Sequence, residues 1–257
     1  MKTLDVIGLK LACTDYQGAA EWVMEHSTKG EVIAVEAANT HVAALSKHKK
    51  HFRNAMEKFD LVVPDGMPLV WVMNAKLKAE EKLKDRVYGP SLMLEVLKAT
   101  EGSKEHSHFF LGGAQSTLDK LHQRFDDEFP KTNIAGSYSP PYGDWPEDEF
   151  DRIKSKIEES GANLIWVCFG CPKQEQWIAD HKEDLPAGVY FGIGAAFAFH
   201  AGEVSQAPAL LQNNGLEWAY RLAAEPRRLF KRYLVHNSLF LYYLLQDSLG
   251  LAKGVPR

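Results

Sequence analysis

The sequence has few cysteines and no long apolar run, and each shortage excludes a class of protein. Only Cys13, Cys168 and Cys171 occur among the 257 residues, which excludes a disulfide scaffold and indicates a reducing, intracellular compartment. The first ten residues lack the apolar core of a signal peptide. No apolar stretch reaches the roughly 18 residues of a transmembrane helix. With 45% hydrophobic residues and a net charge of -4, disorder is also excluded, and a soluble globular protein is expected.

Signals for bound metal or redox chemistry are equally sparse. The chain contains no Asp-x-Asp triplet, which metal-dependent enzymes of nucleotide sugars usually carry. His48 and His51 lie three residues apart, but no cysteine or carboxylate cluster supports a zinc site beside them. Cys168 and Cys171 have the spacing of a redox pair, without the sequence context of a small thiol oxidoreductase. We therefore expect neither a metal nor a cofactor.

Short apolar runs alternate with longer amphipathic stretches, which is typical of βαβ units. The predicted strands are Val32–Ala37, Leu61–Val63, His108–Leu111, Asn133–Tyr138, Leu164–Phe169 and Val189–Ile193. The predicted helices between them include Val42–Phe59, Ser91–Thr100, Gln115–Phe129, Glu147–Ser160 and Gln174–His181. The fold class is therefore α/β, with a Rossmann-like core built on a parallel sheet.

Two regions are expected, an α/β catalytic core over residues 1–202 and a helical appendage over residues 203–257. Several core strands run directly into glycine, which places backbone N–H groups at the sheet edge where such folds bind ligands. Residues 105–200 are accordingly the predicted nucleotide-binding half. The appendage has seven Lys and Arg against four Asp and Glu, a local balance of +3. Such a balance indicates either a partner surface or a basic, solvated helix face.

Polar residues at strand ends are the best candidates for a functional site, although each also has a structural explanation. Asn39 follows the first predicted strand and could simply cap a helix. Asp65, between Pro64 and Gly66, could be another cap or a general base. Arg86 could face an anion or the solvent. In residues 170–175, Lys, Gln and Glu could be ordinary polar residues of a first helical turn.

Together these segments resemble the bacterial WecG/TagA/CpsF glycosyltransferases. The resemblance rests on Asn39, Pro64-Asp-Gly66, Arg86-Val-Tyr-Gly89, Phe110-Leu-Gly-Gly113, Gly170-Cys-Pro-Lys-Gln-Glu175 and Gly192-Ile-Gly-Ala-Ala-Phe197. Gly215-Leu-Glu-Trp-Ala-Tyr-Arg221 and Glu225-Pro-Arg-Arg228 resemble the family's C-terminal signature. The motifs occur in the family's order over about residues 39–233.

The resemblance implies an inverting, metal-independent enzyme of cell-wall or surface polysaccharide synthesis. It would move a hexose, N-acetylmannosamine or a related sugar, from a UDP-sugar to a polyprenyl-diphosphate-linked saccharide. The family's catalytic carboxylate falls on Asp65. The family's other pocket residues fall on Asn39, Arg86 and Gln174. The backbone N–H groups of Gly112, Gly113 and Gly170 are expected to stabilise the leaving UDP. The other substrate-binding residues that we expect are Glu175, Arg221 and Arg228.

The appendage is predicted to meet the membrane that carries such an acceptor. Arg221, Arg228 and Lys231 can share one helix face, and each basic residue near an anionic surface contributes about 1 kcal/mol. The expected location is the cytoplasmic, inner face of the membrane, with peripheral attachment. The alternative is a helix packed on the α/β core.

Two other functions remain open at this point. A nucleotide-dependent oxidoreductase would use the glycine turn at Gly192-Ile-Gly194, which resembles the dinucleotide motif only weakly. A non-catalytic membrane-surface adaptor would use the basic tail alone. No nucleic-acid partner is expected, and the sequence leaves open whether the chain forms a homo-oligomer.

Overall fold

The computed structural model describes residues 1–208, 210–211 and 215–250, except for the side chains of residues 217, 224, 228 and 231–233. Its strands are β1 (Thr3–Val6), β2 (Leu9–Ala12), β3 (Val32–Ala38), β4 (Leu61–Pro64), β5 (His108–Gly112), β6 (Ile134–Tyr138), β7 (Leu164–Cys168) and β8 (Gly188–Gly192). Its helices up to residue 99 are α1 (Tyr16–Ser27), α2 (Thr40–His48), α3 (Lys50–Met56), α4 (Met67–Lys76) and α5 (Gly89–Ala99). The later ones are α6 (Gln115–Glu128), α7 (Glu149–Ser160), α8 (Lys173–His181), α9 (Ala196–His200), α10 (Glu217–Ala224) and α11 (Pro226–Ser248).

A six-stranded parallel sheet with the order β4-β3-β8-β7-β5-β6 confirms the predicted α/β, Rossmann-like class. The strand order is not the sequence order, so helical crossovers connect strands that run in the same direction. The predicted strands agree with the observed ones to within two residues at each end. Parallel strands are covered on both faces and read as nearly continuous apolar runs, which explains the agreement.

The chain divides into two compact units. The first unit comprises Met1–Asp15, Ala37–Tyr88 and Gln206–Arg257, and the second comprises Tyr16–Glu36 and Gly89–Ser205. The second unit contains most of the sheet, and its interior is aromatic: Trp166 on β7 stacks on Phe191 of β8 with ring centroids 3.9 Å apart. Phe110 on β5 meets Phe197 edge to face at 5.6 Å. These rings fix the lateral packing of the strands.

The first unit joins an antiparallel hairpin of β1 and β2 to the C-terminal helices. Helix α11 packs along α2, and two side-chain pairs connect them. Thr40 Oγ1 donates to Asn237 Oδ1 at 2.9 Å, and His48 Nδ1 lies 2.8 Å from Tyr243 Oη. The C-terminal helical segment is therefore an integrated part of this unit.

The structure differs from the predicted helices at one point. Val42–Phe59 is two helices, α2 and α3, because Lys49 between them has an extended conformation with φ -113° and ψ 109°. In the tail, Gly215 precedes α10 and Pro226 begins α11. Proline suits a first helical turn because its missing N–H would have no helical acceptor there.

Candidate active site

A cavity of about 510 Å³ lies within the first unit. Its polar lining includes four of the predicted site residues: Asn39, Asp65, Arg86 and Arg221. Its apolar lining includes Trp71, Trp218, Leu229, Phe240, Leu241 and Leu244. A cavity of this size with a few convergent polar groups on apolar walls is the usual form of a small-molecule site.

Asp65 is the first residue after β4, and backbone hydrogen bonds hold this end of the strand in place. Its N–H donates to the carbonyl oxygen of Ala38 at 2.8 Å, and Pro64 accepts from the N–H of Val87 at 2.9 Å. The N-cap of the following helix α4 is Gly66 rather than Asp65. The capping explanation for Asp65 is therefore wrong, and its half-buried carboxylate lines the cavity.

Asn39 caps a helix and also lies on the cavity wall. Its Oδ1 accepts hydrogen bonds from the N–H groups of His41 at 3.0 Å and Val42 at 3.3 Å, so it is the N-cap of α2. It also lines the cavity. A Cβ built on Gly66 would lie 3.9 Å from Asn39 Cβ, which shows how closely the two strand ends approach.

Two arginines supply positive charge to the cavity. Arg86 is largely buried, and its guanidinium carbon lies 4.4 Å from the ring centroid of Tyr88. This cation–π contact holds the planar group in place. Arg221 lies in the last turn of α10 and is half-buried. Two guanidinium groups that line the same cavity as a carboxylate suit a substrate that carries phosphate charge.

The tail reaches this cavity through a close contact at Gly215. Gly215 has φ +68°, and a Cβ there would lie 3.1 Å from both Met67 Cβ and the six-membered ring of Trp71. Only glycine accepts this backbone angle and this approach without strain. The remaining predicted tail residue, Arg228, lies on α11, but its side chain is outside the described residues. The helix face that it was predicted to share with Arg221 and Lys231 stays a prediction.

The other predicted site residues lie in the second unit. Gly112 ends β5 with φ +104° and Gly113 follows it with φ +76°, and a Cβ on Gly112 would lie 2.6 Å from the Cys168 carbonyl oxygen. Glycine at position 112 is therefore required by the close approach of β5 and β7. Gly170 follows β7 with φ +79°.

Gln174 and Glu175, at the start of α8, are buried and bond to the protein itself. Gln174 Oε1 accepts from the N–H groups of Gly170 and Gly194, each at 3.2 Å. Gln174 Nε2 donates to Glu175 Oε1 at 3.2 Å. Burial raises the pKa of the Glu175 carboxyl. Direct contact of these residues with a substrate stays a prediction.

Sequence reasoning missed three residues at these places. Glu36 lies on β3, is buried, and hydrogen-bonds Glu175; its only signal was a carboxylate inside an apolar run. Trp71 and Trp218 line the cavity although about half of each residue is exposed. Large, partly exposed aromatic rings on a cavity wall are typical of ligand-binding sites. The sequence pattern alone does not distinguish such rings from aromatic residues of the core.

The structure also bears on the two alternative chemistries at the glycine turns. Burial raises the pKa of Cys168 to about 12, and its Sγ donates to the Gly194 carbonyl; such a thiol is a poor redox nucleophile. A Cβ on Gly192 would overlap Glu36 Oε2. The carboxyl group of Glu36 therefore occupies the space beside Gly192. This acidic group disfavours the negatively charged phosphate of a dinucleotide at the same place.

Within the described part of the chain, no cluster of three or more His, Cys, Asp or Glu could hold a metal ion. The described helices also include none that is long and apolar enough to span a membrane. The model of the glycosyl transferase WecG/TagA/CpsF family matches residues 4–254. This match covers nearly the whole chain, and the protein therefore belongs to the WecG/TagA/CpsF family of glycosyltransferases, which act in cell-wall and surface polysaccharide synthesis.

Proposed function

We propose that the protein is an inverting, metal-independent hexosyltransferase that uses a UDP-sugar and a polyprenyl-diphosphate-linked acceptor saccharide. The observation that carries this proposal is the grouping of Asp65, Asn39, Arg86 and Arg221 around one cavity. N-acetylmannosamine or a related hexose is the donor sugar that we propose.

In the proposed step, the acceptor hydroxyl oxygen attacks the anomeric carbon of the donor and forms the new glycosidic bond. The bond from that carbon to the UDP oxygen breaks, and UDP leaves with its electron pair. The acceptor proton passes to the Asp65 carboxylate. A single displacement of this kind inverts the anomeric configuration. General-base assistance contributes about 10²–10⁴-fold in rate.

The departing UDP gains negative charge, which fixed positive groups can stabilise. Arg86 and Arg221 line the same cavity as Asp65, and Arg86 is held by its contact with Tyr88. Preorganised charge of this kind replaces the role of a divalent cation. For the second unit, we propose that the backbone at Gly112 and Gly113 contacts nucleotide phosphate.

The exposed surface of the tail fits an enzyme that joins a soluble donor to a lipid-linked acceptor. On α11, Leu234, Leu241 and Leu245 are each about 60% exposed, and their spacing of seven and four residues places them on one helix face. Arg227 at the start of the helix is also exposed. An apolar face with basic residues at one end fits the surface of an anionic membrane. We propose peripheral attachment at the cytoplasmic face.

A donor panel tests the reaction class directly. The purified protein is incubated with UDP-hexoses and, separately, with NAD and NADP, and its thermal unfolding is followed. Stabilisation by UDP-sugars alone is expected, because ligands that bind the native state raise its melting temperature. Stabilisation by nicotinamide nucleotides alone would contradict the proposal.

Transfer to a polyprenyl-diphosphate-linked saccharide is then assayed with excess EDTA and with added Mg²⁺ or Mn²⁺. Equal rates and an inverted anomeric centre, read from the product by NMR, are expected. A rate that collapses with EDTA and recovers with metal would overturn metal independence. Retained anomeric configuration would overturn the single displacement.

A further inference from the structure

The second unit contains a pair of buried carboxyl groups that the proposed chemistry does not use. Glu36 on β3 is 2% exposed and Glu175 on α8 is fully buried, and their carboxyl groups hydrogen-bond each other. Two carboxylates in contact in the interior cannot both be ionised, because their mutual repulsion adds to the cost of burying charge. Repulsion and burial therefore keep at least one proton on the pair.

The surrounding donors indicate which carboxyl holds that proton. The Glu175 carboxyl also receives hydrogen bonds from Gln174 Nε2, from the Cys171 thiol and from its own backbone N–H. Donors of this kind favour an ionised acceptor. Glu175 is therefore the carboxylate, and Glu36 is the acid whose O–H donates to it. Burial still raises the pKa of Glu175, because its charge lies away from water.

The charge of Glu175 sets the direction of the Gln174 amide. With Nε2 donating to the carboxylate, Gln174 Oε1 faces the N–H groups of Gly170 and Gly194 and accepts from both at 3.2 Å. A flipped amide would place its oxygen against a carboxylate and its NH₂ against two N–H donors. The observed orientation connects the loop after β7 to the loop after β8.

Gly192 completes the arrangement by leaving room for the acid. A side chain at this position would overlap Glu36 Oε2, and its Cβ would lie 3.2 Å from Gln174 Nε2. The Gly192-Ile-Gly194 segment is thus explained by the carboxyl pair and by the Gln174 bond. It needs no bound dinucleotide.

We propose that Glu36, Gln174 and Glu175 are positioning residues of the transferase, in which a carboxyl pair sharing one proton orients the Gln174 amide and so holds the loops at Gly170 and Gly194. This inference rests on the proposed function, because it assigns the loops at the carboxyl ends of β7 and β8 to donor binding. In this positioning role the three side chains act through the backbone of the two loops.

Isosteric variants test the proposal kinetically. Glu175→Leu removes the acceptor that fixes the amide and keeps the size of the side chain, and we expect the KM for the UDP-sugar to rise about tenfold with a smaller change in kcat. Glu36→Ala removes the proton donor and should raise the KM for the UDP-sugar by a similar factor. Glu36→Gln has an amide that can donate the same hydrogen bond to Glu175, so its KM should stay near the wild-type value. Glu149→Gln is the matched control, because Glu149 is another buried carboxyl of this unit, bonded to Tyr138. Equal KM values for all variants, or failure of Glu36→Gln to restore the Glu36→Ala loss, would overturn the proposal.

A ligand-free measurement separates this inference from the proposed function. Amide hydrogen exchange at Gly170 and Gly194 should be slow in the wild type and Glu36→Gln, and faster in Glu175→Leu. Wild-type stability should also fall as pH rises from the ordinary value of a glutamate through the raised pKa of Glu175, because over that range the native state keeps a proton that the unfolded chain has released. The titratable groups facing Glu175 are Glu36 on β3 and Cys171 before α8. Glu175→Leu removes the group with the raised pKa and should flatten this dependence. Unchanged exchange and identical pH profiles would contradict the positioning role even if UDP-sugars bind as proposed.

Discussion

The backbone N–H of Asp65 donates a hydrogen bond to the carbonyl oxygen of Ala38 at 2.8 Å. This bond joins the first residue after β4 to the last residue of β3, directly before Asn39. The carboxylate of Asp65 and the amide of Asn39 therefore start from connected strand ends and line the same cavity. A general base needs a fixed position relative to the hydroxyl that it deprotonates, and the sheet supplies that position.

The two roles of Asn39 can be separated by substitution. Asn39→Ala removes the cap of α2 and should lower the free energy of unfolding by about 1 kcal/mol. Asn39→Ser keeps an oxygen that can cap the helix, so its stability should stay near that of the wild type. If Asn39 also binds substrate, both variants lose transfer activity. Full activity of Asn39→Ser, measured beside its denaturation curve, would leave Asn39 only its structural role.

The contact between Gly215 and Trp71 should matter for docking of the tail. Gly215→Ala introduces a Cβ at 3.1 Å from the Trp71 ring at a positive φ, and we expect a loss of about 2 kcal/mol or more. Gly250→Ala is the control, because Gly250 also has a positive φ of +65° but a Cβ there would meet no atom of the described residues within 4 Å. It should lose only the backbone term of about 1 kcal/mol. Equal destabilisation of the two variants in urea would show that the contact contributes nothing.

The exposed leucine face of α11 provides a test of membrane attachment. The double variant Leu234→Glu and Leu245→Glu should stay folded, since both residues are about 60% exposed. Its affinity for liposomes that contain anionic lipid should fall about tenfold or more, because charge replaces apolar surface. Tyr142→Glu, at a fully exposed loop position, is the control and should bind like the wild type. Undiminished sedimentation of the double variant with liposomes would mean that α11 does not contact lipid.

A buried histidine makes stability depend on pH. Trp166 Nε1 donates to His108 Nδ1 at 3.0 Å, so the ring carries its hydrogen on Nε2, which lies 2.8 Å from Thr100 Oγ1. Burial lowers the pKa of His108 from 6.5 to about 3. Between these values the unfolded chain binds a proton that the native state excludes, so stability falls as pH decreases from 6.5 towards 3.

The variant His108→Gln should flatten that decrease in thermal unfolding scans from pH 7 to pH 4. His51→Gln, at an exposed position, should keep the wild-type slope. Superimposable pH profiles for His108→Gln and the wild type would contradict the assignment.

The sequence indicated the sheet well and the first unit poorly. Residues 61–63 form a buried apolar run that is followed by a proline. The strand predicted from this run therefore has nearly the same limits as β4. The hairpin of β1 and β2 went unpredicted because each strand has only four residues and includes a charged one, Asp5 or Lys10. The break at Lys49 also has no marker in the sequence, because lysine is an ordinary helix former.

The candidate site shows the same division between local and long-range information. Asn39 and Asp65 were recognisable because each follows an apolar strand directly, a pattern that a few neighbouring residues reveal. The contact of Glu36 with Glu175 joins positions far apart in the chain, and no local pattern announces it. Trp71 and Trp218 are similar, since their place on a cavity wall depends on how α4 and α10 pack.

The rate of sugar transfer by Asp65→Asn shows whether the Asp65 carboxylate is the general base. It is measured at saturating UDP-sugar with a polyprenyl-diphosphate-linked acceptor, after UDP binding has been checked by thermal shift. Because the substitution keeps the shape of the side chain and removes the base, turnover should fall by about 10²-fold or more while UDP binding persists. Asp127→Asn, the same change at an exposed position on α6, should transfer at the wild-type rate. Near-normal turnover by a folded Asp65→Asn enzyme would contradict the assignment of Asp65 as the general base.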